Sequence, residues 1–227
     1  MIGCFVTGTD TGVGKTLASC ALLHALAGHH PRVVGMKAVA AGADPDGQGG
    51  WVNEDTVALR AASTLAVAAA LDNPVLLPDP MSPHIAARRA GVEVTLAPIL
   101  DAYRQLAAQA DAVVVEGAGG WRVPLSDSLC IADLAVALQL PVVLVVGLKL
   151  GCLNHAVLTA EAIRAAGLPL AGWVASRVEP QMLVPEENMD WLRNQLGRLG
   201  APLLADIPWQ ATTDPRLTGF SLPKEWQ

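Results

Sequence analysis

Charge is scarce in this chain, and long uninterrupted apolar runs are missing from its sequence. Charged residues make up only 16% of the 227 residues, while hydrophobic residues make up 52%. This balance favours a sheet that helices cover on both faces. No apolar stretch reaches the roughly 18 uncharged residues that cross a bilayer, and no basic segment precedes the first strand. We therefore expect neither membrane insertion nor a secretory signal, and the net charge of −6 argues against nucleic acid as a partner.

Cysteine is also rare, and its spacing excludes two common kinds of site. The four cysteines are Cys4, Cys20, Cys130 and Cys152. No two of them form the C-x-x-C pair that is typical of redox motifs and zinc sites. We therefore predict reduced thiols in a cytoplasmic protein.

Lysine is uncommon among the cationic residues. Only four of the fifteen lysines and arginines are lysine, namely Lys15, Lys37, Lys149 and Lys224. A compact ammonium on a flexible stem suits a point contact with phosphate oxygens better than a planar guanidinium does. Coding bias alone would also make lysine scarce, so the argument depends on position. Three of the four lysines lie in segments that carry candidate sites.

Strand-like and helix-like segments alternate along the chain. Strands rich in valine and leucine, without period-2 alternation, are predicted at 2–7, 32–38, 112–116, 142–147, 169–175 and 203–207. Helices are predicted at 15–27, 55–66, 97–109, 130–139, 155–166 and 186–198. This order predicts an α/β fold with one nucleotide-binding domain over residues 1–227. Its sheet would be open, doubly wound and mainly parallel, with helices on both sides.

Three segments lack this regularity. Residues 43–51 are rich in glycine and aspartate and are predicted to form a mobile loop. Four prolines crowd residues 74–83, where we expect an irregular connection with one extra strand at 75–77. The tail after Trp209 shows no clear pattern.

The segment GTDTGVGKT, residues 8–16, lies between the first predicted strand and the first predicted helix. The phosphate-loop pattern G-x-x-x-x-G-K-[ST] would need glycine at position 9. Thr9 stands there instead, and Gly8 comes one position early. The strand before the segment and the helix after it are the context that the motif requires. We therefore predict a variant phosphate loop with the same chemistry.

Each residue type in this loop suits phosphate binding. Gly12 and Gly14 allow positive φ or close approach of the backbone to a ligand. The N-terminus of the following helix contributes a partial positive charge. Lys15 would reach the β and γ phosphates, and Thr16 would bind Mg²⁺.

The segment DAVVVEGAGG, residues 111–120, is an apolar strand that ends in Glu116. The carboxyl ends of parallel strands line the ligand crevice of such folds, so Glu116 should lie beside the phosphate loop. There it could hold Mg²⁺ directly or through water. Gly117, Ala118 and Gly119 follow, and these small residues should leave room for a ligand at the base of the crevice.

Two further segments supply charge at the same crevice. MKAVAAG, residues 36–42, places Lys37 at the end of the second strand. A second lysine there indicates more negative charge than a nucleotide alone supplies, or a transfer reaction. NED, residues 53–55, offers Asp55 where a helix begins. From the residues alone, Asp55 as an N-cap is favoured over Asp55 as a third magnesium ligand.

The segment VVLVVGLKLGCLNHA, residues 142–156, is a buried strand, a glycine-bearing turn and a helix start. Lys149 and Asn154 flank this helix N-terminus, which could form a second anion site. An ordinary connection between a strand and a helix explains the same residues equally well.

At these residues the chain resembles the dethiobiotin synthetase family. The similar stretches keep their order and spacing over residues 5 to 209, and they are FVTGTDTGVGKTLASCALL, MKAVAAG, SPHIAARR, VVEGAGGW, PLSD, PVVLVVGLKLGCLNHAVLTAEAI, LAGWVAS and IPW. The phosphate loop is shared by many proteins, whereas EGAGGW and LKLGCLNHA are specific to this family.

The resemblance implies a reaction with two substrates besides ATP. In the family, 7,8-diaminononanoate reacts with CO2 to form a carbamate, which ATP then phosphorylates. The neighbouring amine closes the cyclic urea, giving dethiobiotin, ADP and phosphate. Mg²⁺ and several cationic side chains hold the negatively charged carbamate and γ-phosphate in line.

The resemblance also implies roles for individual residues. Phosphoryl transfer falls to Thr11, Lys15 and Lys37, and Mg²⁺ binding to Thr16, Asp55 and Glu116. The implied nucleotide contacts are Gly12, Val13, Gly14, Lys15, Thr16, Leu17, Asp55, Glu116, Gly117, Ala118, Gly119, Ser176, Arg177, Pro208, Trp209 and Gln210. The implied substrate contacts are Ala41, Gly151, Cys152, Leu153 and Asn154. In the family the last four bind the carboxylate of the substrate held by the other subunit of a homodimer.

Three residues depart from the family pattern. Gly12 stands where glutamate is common, and Ala41 stands where a hydroxyl residue contacts the carbamate or diamine. Ser176 stands where an asparagine reads the adenine base. A serine hydroxyl lacks the paired donor and acceptor of an amide. We therefore expect weak discrimination between nucleoside triphosphates.

Three other readings of the same loop remain. The amidotransferases of cobalamin synthesis share it, but they need a large glutaminase domain for which 227 residues leave no room. Partitioning ATPases and related switches carry a lysine five residues before the loop lysine, where this chain has Asp10. A regulatory homologue that binds nucleotide without catalysis is kept open by Ala41.

Overall fold

A computed structural model describes residues 1–47, 49–209, 214–217 and 219–227 of the chain. The strands are β1 (Ile2–Gly8), β2 (Val33–Lys37), β3 (Val39–Ala41), β4 (Asp44–Pro45), β5 (Trp51–Val52), β6 (Val75–Leu77), β7 (Ala112–Gly120), β8 (Val142–Gly147), β9 (Leu170–Ser176) and β10 (Leu203–Ile207). The helices are α1 (Lys15–Ala27), α2 (Glu54–Ala62), α3 (Ala69–Asp72), α4 (Pro83–Ala90), α5 (Leu96–Ala107), α6 (Ile131–Leu138), α7 (Cys152–Ala165) and α8 (Pro185–Arg198). Short 3₁₀ turns occupy Pro215–Leu217 and Lys224–Trp226.

Six strands form one parallel sheet in the order β10-β9-β8-β1-β7-β2. The strand β1 lies inside the sheet between β7 and β8, with Val6 paired to Glu116 on one side and to Val143 on the other. The chain leaves β1 toward β2 at one edge and later returns to build the opposite half. This reversal next to β1 opens a crevice at the carboxyl ends of the strands. The predicted doubly wound α/β fold is confirmed.

Both faces of the sheet are buried, which explains the continuous apolar strands. On β1, Phe5 packs into one core together with residues of α5, α6, α7 and α8. Its neighbours Cys4 and Val6 pack into the opposite core, under α1 and α2. All four cysteines are free thiols. Burial raises the pKa of the Cys4 thiol, and likewise the pKa of Cys20, to about 12, so these two side chains act as packing groups.

Several predicted boundaries are wrong, and each error has a local cause. The predicted loop at 43–51 is not wholly irregular, because β4 lies within it and pairs antiparallel with β5 at its end, with Asp44 opposite Val52. The strand predicted at 75–77 exists and pairs in parallel with β3. The helices α3 and α4 were not predicted. α3 is only four residues long, and Pro83, which was counted with the irregular connection at 74–83, occupies the first turn of α4, where proline fits.

The chain end folds back on the sheet, although its sequence shows no pattern. Ser221 N donates to Leu204 O at 2.7 Å, and Trp226 is buried in the core beneath α1. No helix in the described ranges is both long enough and apolar enough to cross a membrane.

Candidate active site

The phosphate loop connects β1 to α1 and leaves the start of α1 open. Gly12 and Gly14 have φ of 71° and 81°, values that favour glycine. Gly14 is the N-cap of α1 and makes no side-chain cap hydrogen bond, so the first N–H groups of the helix lack an internal partner. Such an N-terminus binds anions. The predicted anion-binding geometry is therefore present at this turn.

Two predicted transfer residues lie on this loop. Lys15 is 7% exposed, and its Nζ donates to the main-chain oxygen of Asp10 at 3.1 Å. Burial, and then the charge of Lys37, lower the pKa of the Lys15 ammonium. Thr11 is exposed at the mouth of the crevice, and its main-chain N–H donates to Asp10 Oδ1 at 2.7 Å.

The three predicted metal ligands converge although they lie far apart in sequence. Thr16 Oγ1 donates to Asp55 Oδ1 at 2.7 Å and is 3.0 Å from Glu116 Oε1. The favoured N-cap interpretation of Asp55 is wrong, because Asn53 caps α2 and its side chain accepts from the N–H groups of residues 55 and 56. The Asp55 carboxylate is therefore available to the crevice, where it meets the other two side chains.

Lys37 joins the same cluster from the end of β2. Its Nζ lies 2.6 Å from Asp55 Oδ2 and 2.7 Å from Glu116 Oε1, and the residue is 5% exposed. Burial disfavours its charge, but Glu116 and Asp55 outweigh burial and raise the pKa of Lys37. Burial would raise the pKa of Asp55, but the charge of Lys37 keeps that pKa below its usual value. Lys37 and Asp55 are therefore both charged at neutral pH.

The donor set fits Mg²⁺. Glu116 is fully buried, and its Oε2 atom has no hydrogen-bond partner, which is costly unless something binds it. Two carboxylates and a hydroxyl are hard oxygen ligands, and Mg²⁺ is usually held by one or two carboxylates together with phosphates and water. Within the described residues, no group of three or more His, Cys, Asp and Glu could hold a metal, so any ion here needs further oxygens from a ligand.

A cavity of about 800 Å³ opens over this cluster. Its lining contains predicted residues of every class, namely Thr11, Gly12, Gly14, Lys15, Thr16, Lys37, Ala41, Asp55, Ala118 and Gly119. Gly117 lies beneath this floor, and Val13 is buried at the back of the phosphate loop. The cavity is large enough for a small substrate beside a triphosphate.

Some lining residues were not predicted. The cavity is also lined by Val39, Glu54, Pro80, Met81, Ser82, Pro83 and Val123. Ser82 is the N-cap residue of α4 and makes no side-chain cap hydrogen bond. The stretch SPHIAARR, which contains Ser82 and Pro83, is part of the family resemblance. The sequence therefore marked this segment, but no role was assigned to its residues.

A second cavity, of about 260 Å³, is lined by two of the predicted nucleotide contacts, Arg177 and Trp209, together with Leu148, Glu179, Pro180, Met182 and Pro185. Arg177 is held by ion pairs to Asp206 and Glu186, each at 2.8 Å. Pro208 is exposed next to this cavity. Gln210 lies outside the described residues.

Two predicted nucleotide contacts lie away from that cavity. Ser176 is 4% exposed and faces the phosphate loop, since a Cβ added to Gly14 would lie 2.6 Å from its Oγ. Leu17 lines a different cavity, between α1 and α2. Their roles in nucleotide binding stay predictions.

The turn between β8 and α7 carries the second candidate anion site. Gly151, with φ of 94°, is the N-cap of α7 and makes no side-chain cap hydrogen bond. Gly151 and Asn154 are exposed, Cys152 is buried and Leu153 is half-buried. Among the described residues that line the large cavity, none comes from this turn. This turn therefore does not line the large cavity of its own chain.

Solved structures with the same architecture confirm the fold. The MinD–MinC cell division complex of Aquifex aeolicus superposes with a TM-score of 0.55 at 16% identity, covering 93% of this chain and 82% of that one. A ParA family ATPase of Chlorobium tepidum superposes with a TM-score of 0.53 at 15% identity, covering 92% and 85%. Identities this low show the fold alone.

Curated relatives are much closer in sequence. A family model described as an AAA domain matches residues 3–216. The ATP-dependent dethiobiotin synthetase BioD of Ralstonia nicotianae is 58% identical over 214 residues, which cover 94% of this chain and 92% of that protein. The proteins of the same name from Xanthomonas oryzae and Aromatoleum aromaticum are 53% and 51% identical, and each alignment covers at least 95% of both chains. The chain therefore belongs to the AAA-domain family and to the family of ATP-dependent dethiobiotin synthetases.

Proposed function

We propose that this protein forms dethiobiotin from 7,8-diaminononanoate, CO2 and ATP, with ADP and phosphate as the other products. A carbamate forms first on one amine, takes the γ-phosphoryl group of ATP, and is then attacked by the neighbouring amine. One observation carries the proposal. Lys37 and Thr16 each lie within hydrogen-bond distance of both Asp55 and Glu116, beside a phosphate loop whose helix start has no side-chain cap. Family membership supplies the substrates.

The cations of the site suit transfer between two anions. The carbamate and the γ-phosphate both carry negative charge, so their approach needs fixed positive charge on both sides. Lys15 lies on the phosphate loop and Lys37 lies across the crevice on β2, and both line the same cavity. Because burial holds each ammonium in place, little reorganisation accompanies the transfer.

Mg²⁺, when bound, would neutralise phosphate oxygens and help to hold the triphosphate in line. Thr16, Asp55 and Glu116 would hold it, and the unpartnered Glu116 Oε2 supports this assignment. Thr11 would contact the transferring group from the exposed part of the loop.

We further propose a cytoplasmic homodimer in which each active site uses both chains. The exposed helix start at Gly151 and Asn154, which does not line the large cavity of its own chain, would bind the substrate carboxylate of the partner. Leu150, in the turn before α7, is 94% exposed, and Leu158 on α7 is 57% exposed. Both would be covered by a second copy of the chain.

The base of the nucleotide would enter the smaller cavity beside Arg177 and Trp209. Ser176 lies behind the phosphate loop and offers one hydroxyl, so it cannot pair with adenine in two directions. The proposal therefore includes weak selectivity among nucleoside triphosphates.

The decisive experiment supplies the purified protein with diaminononanoate, bicarbonate, Mg²⁺ and each of the four nucleoside triphosphates. Dethiobiotin is measured together with the nucleoside diphosphate. We expect one diphosphate for each dethiobiotin. Hydrolysis of nucleotide without diaminononanoate, and no dethiobiotin with it, would instead support the switch-like homologue.

A further inference from the structure

Asp10 links the phosphate loop to the turn between β8 and α7. Its Oδ2 accepts a hydrogen bond from Lys149 Nζ at 3.0 Å, across 139 positions of sequence. Its Oδ1 accepts from the N–H of Thr11 at 2.7 Å, and its main-chain oxygen accepts from Lys15 Nζ at 3.1 Å. One residue therefore contacts two of the three groups assigned to phosphoryl transfer.

Other residues of the phosphate loop also contact the carboxyl end of β8. Thr9 N donates to Val145 O at 3.0 Å. Val13 packs against Gly147 so closely that a Cβ added there would lie 2.8 Å from Val13 Cγ1. These two contacts are main-chain or apolar, and the Asp10–Lys149 pair is the charged contact between the same two segments.

Lys149 neutralises the negative charge of Asp10. Asp10 is the one acidic residue of residues 8–16, and an unpaired carboxylate there would repel an incoming triphosphate. The hydrogen bond from Lys149, followed by that from the Thr11 N–H, lowers the pKa of Asp10. The carboxylate is therefore ionised at neutral pH, and Lys149 is its counter-ion.

Stability alone does not explain the pair. The Asp10 side chain is 48% exposed and the Lys149 side chain 38% exposed, and ion pairs this open contribute at most about 1 kcal/mol to folding. The other exposed basic side chains that form ion pairs in the described residues are arginines. Lys149 is thus the lysine among these exposed ion pairs, and its partner lies on the phosphate loop.

We propose that Asp10 and Lys149 form a positioning pair for the bound nucleotide. The carboxylate and the carbonyl of Asp10 fix Thr11 and Lys15, and Lys149 anchors Asp10 while cancelling its charge toward the phosphates. This proposal rests on the proposed function in one respect, namely that a nucleotide binds at this loop.

The test measures the dissociation constant of ADP, at constant Mg²⁺, by calorimetry. Lys149→Met should bind ADP about tenfold more weakly, since the coupling within a charged network is typically of that size. Asp10→Asn added to Lys149→Met should restore affinity to within about threefold of the wild type, because the repelling charge is then gone. Lys224→Met, which removes an exposed lysine that does not line the cavity, is the matched control and should bind normally.

Two outcomes would contradict the proposed role of the Asp10–Lys149 pair. Unchanged ADP binding by Lys149→Met means that Asp10 needs no counter-ion. Equally weak binding by the double variant means that Lys149 contacts the phosphates itself. Where the methionine variant does not fold, Lys149→Gln replaces it, with the same expected result.

Kinetics separate positioning from simple support of the fold. Asp10→Ala also removes the acceptor for the Thr11 N–H, so its kcat should fall further than that of Asp10→Asn, while both variants melt within about 4 °C of the wild type. Equal kcat values for the two variants would remove the positioning role. ADP binding needs no diaminononanoate, so a wild-type protein that makes no dethiobiotin refutes the proposed function and leaves the binding test intact.

Discussion

Replacing Lys37 by methionine tests the centre of the active site. The substitution keeps most of the stem and removes the charge that lies 2.6 Å from Asp55 and 2.7 Å from Glu116. Removing one partner of a buried ion pair costs about 3–5 kcal/mol. Here Thr16 Oγ1 still donates to Asp55 Oδ1 and lies 3.0 Å from Glu116 Oε1, and the Asp55 side chain is 31% exposed. We therefore expect a loss of about 2 kcal/mol in the free energy of unfolding, below that range.

The effect on turnover should be larger than the effect on folding. A preorganised group aimed at developing charge is typically worth about 3 kcal/mol, so kcat should fall by two orders of magnitude or more. The KM for ATP should change little, because the phosphate loop and Lys15 are left in place. Lys37 has a raised pKa, so the wild-type ammonium is charged throughout a neutral assay and the comparison does not depend on the chosen pH.

The assay follows dethiobiotin formation at saturating ATP, Mg²⁺ and diaminononanoate, alongside thermal unfolding of each protein. Lys224→Met is the control, since it removes an exposed lysine from the chain end. A folded Lys37→Met protein whose kcat stays within about threefold of the wild type would refute the assignment, because that corresponds to less than 1 kcal/mol of transition-state stabilisation.

Three further predictions test the metal, the assembly and the base. Glu116→Gln keeps the size of the side chain but removes its charge, so the Mg²⁺ concentration for half-maximal activity should rise; an unchanged titration would exclude Glu116 as a ligand. Mixing inactive Lys37→Ala chains with inactive Asn154→Ala chains should restore activity, because one site of each mixed dimer carries neither lesion. No recovery after proven subunit exchange would place each site within one chain. Specificity constants for ATP, GTP, CTP and UTP should differ by about tenfold or less, and Ser176→Asn should favour ATP. A hundredfold preference for ATP in the wild type would show that other groups read the base.

The elements built by local pattern could be predicted from the sequence. The first helix was predicted at 15–27, and α1 has the same bounds, because the loop lysine that starts it is part of a recognisable motif. The strand at 142–147 was also correct, since a continuous run of valine and leucine suits a strand buried on both faces. The helix predicted from residue 155 begins instead at Cys152, because a glycine with positive φ starts it where no polar cap signals it.

Tertiary structure decided which side chains meet. Asp55 and Asn53 both stand near a helix start, and only the folded backbone shows that Asn53 is the cap while Asp55 reaches Thr16, 39 positions away. The same holds for Asp10 and Lys149, which are 139 positions apart and meet because β1 and β8 are neighbours in the sheet. Local sequence fixes backbone conformation over a few residues through sterics and hydrogen bonding. Contacts across the crevice depend on strand order, which is set by how both faces of the whole sheet are buried.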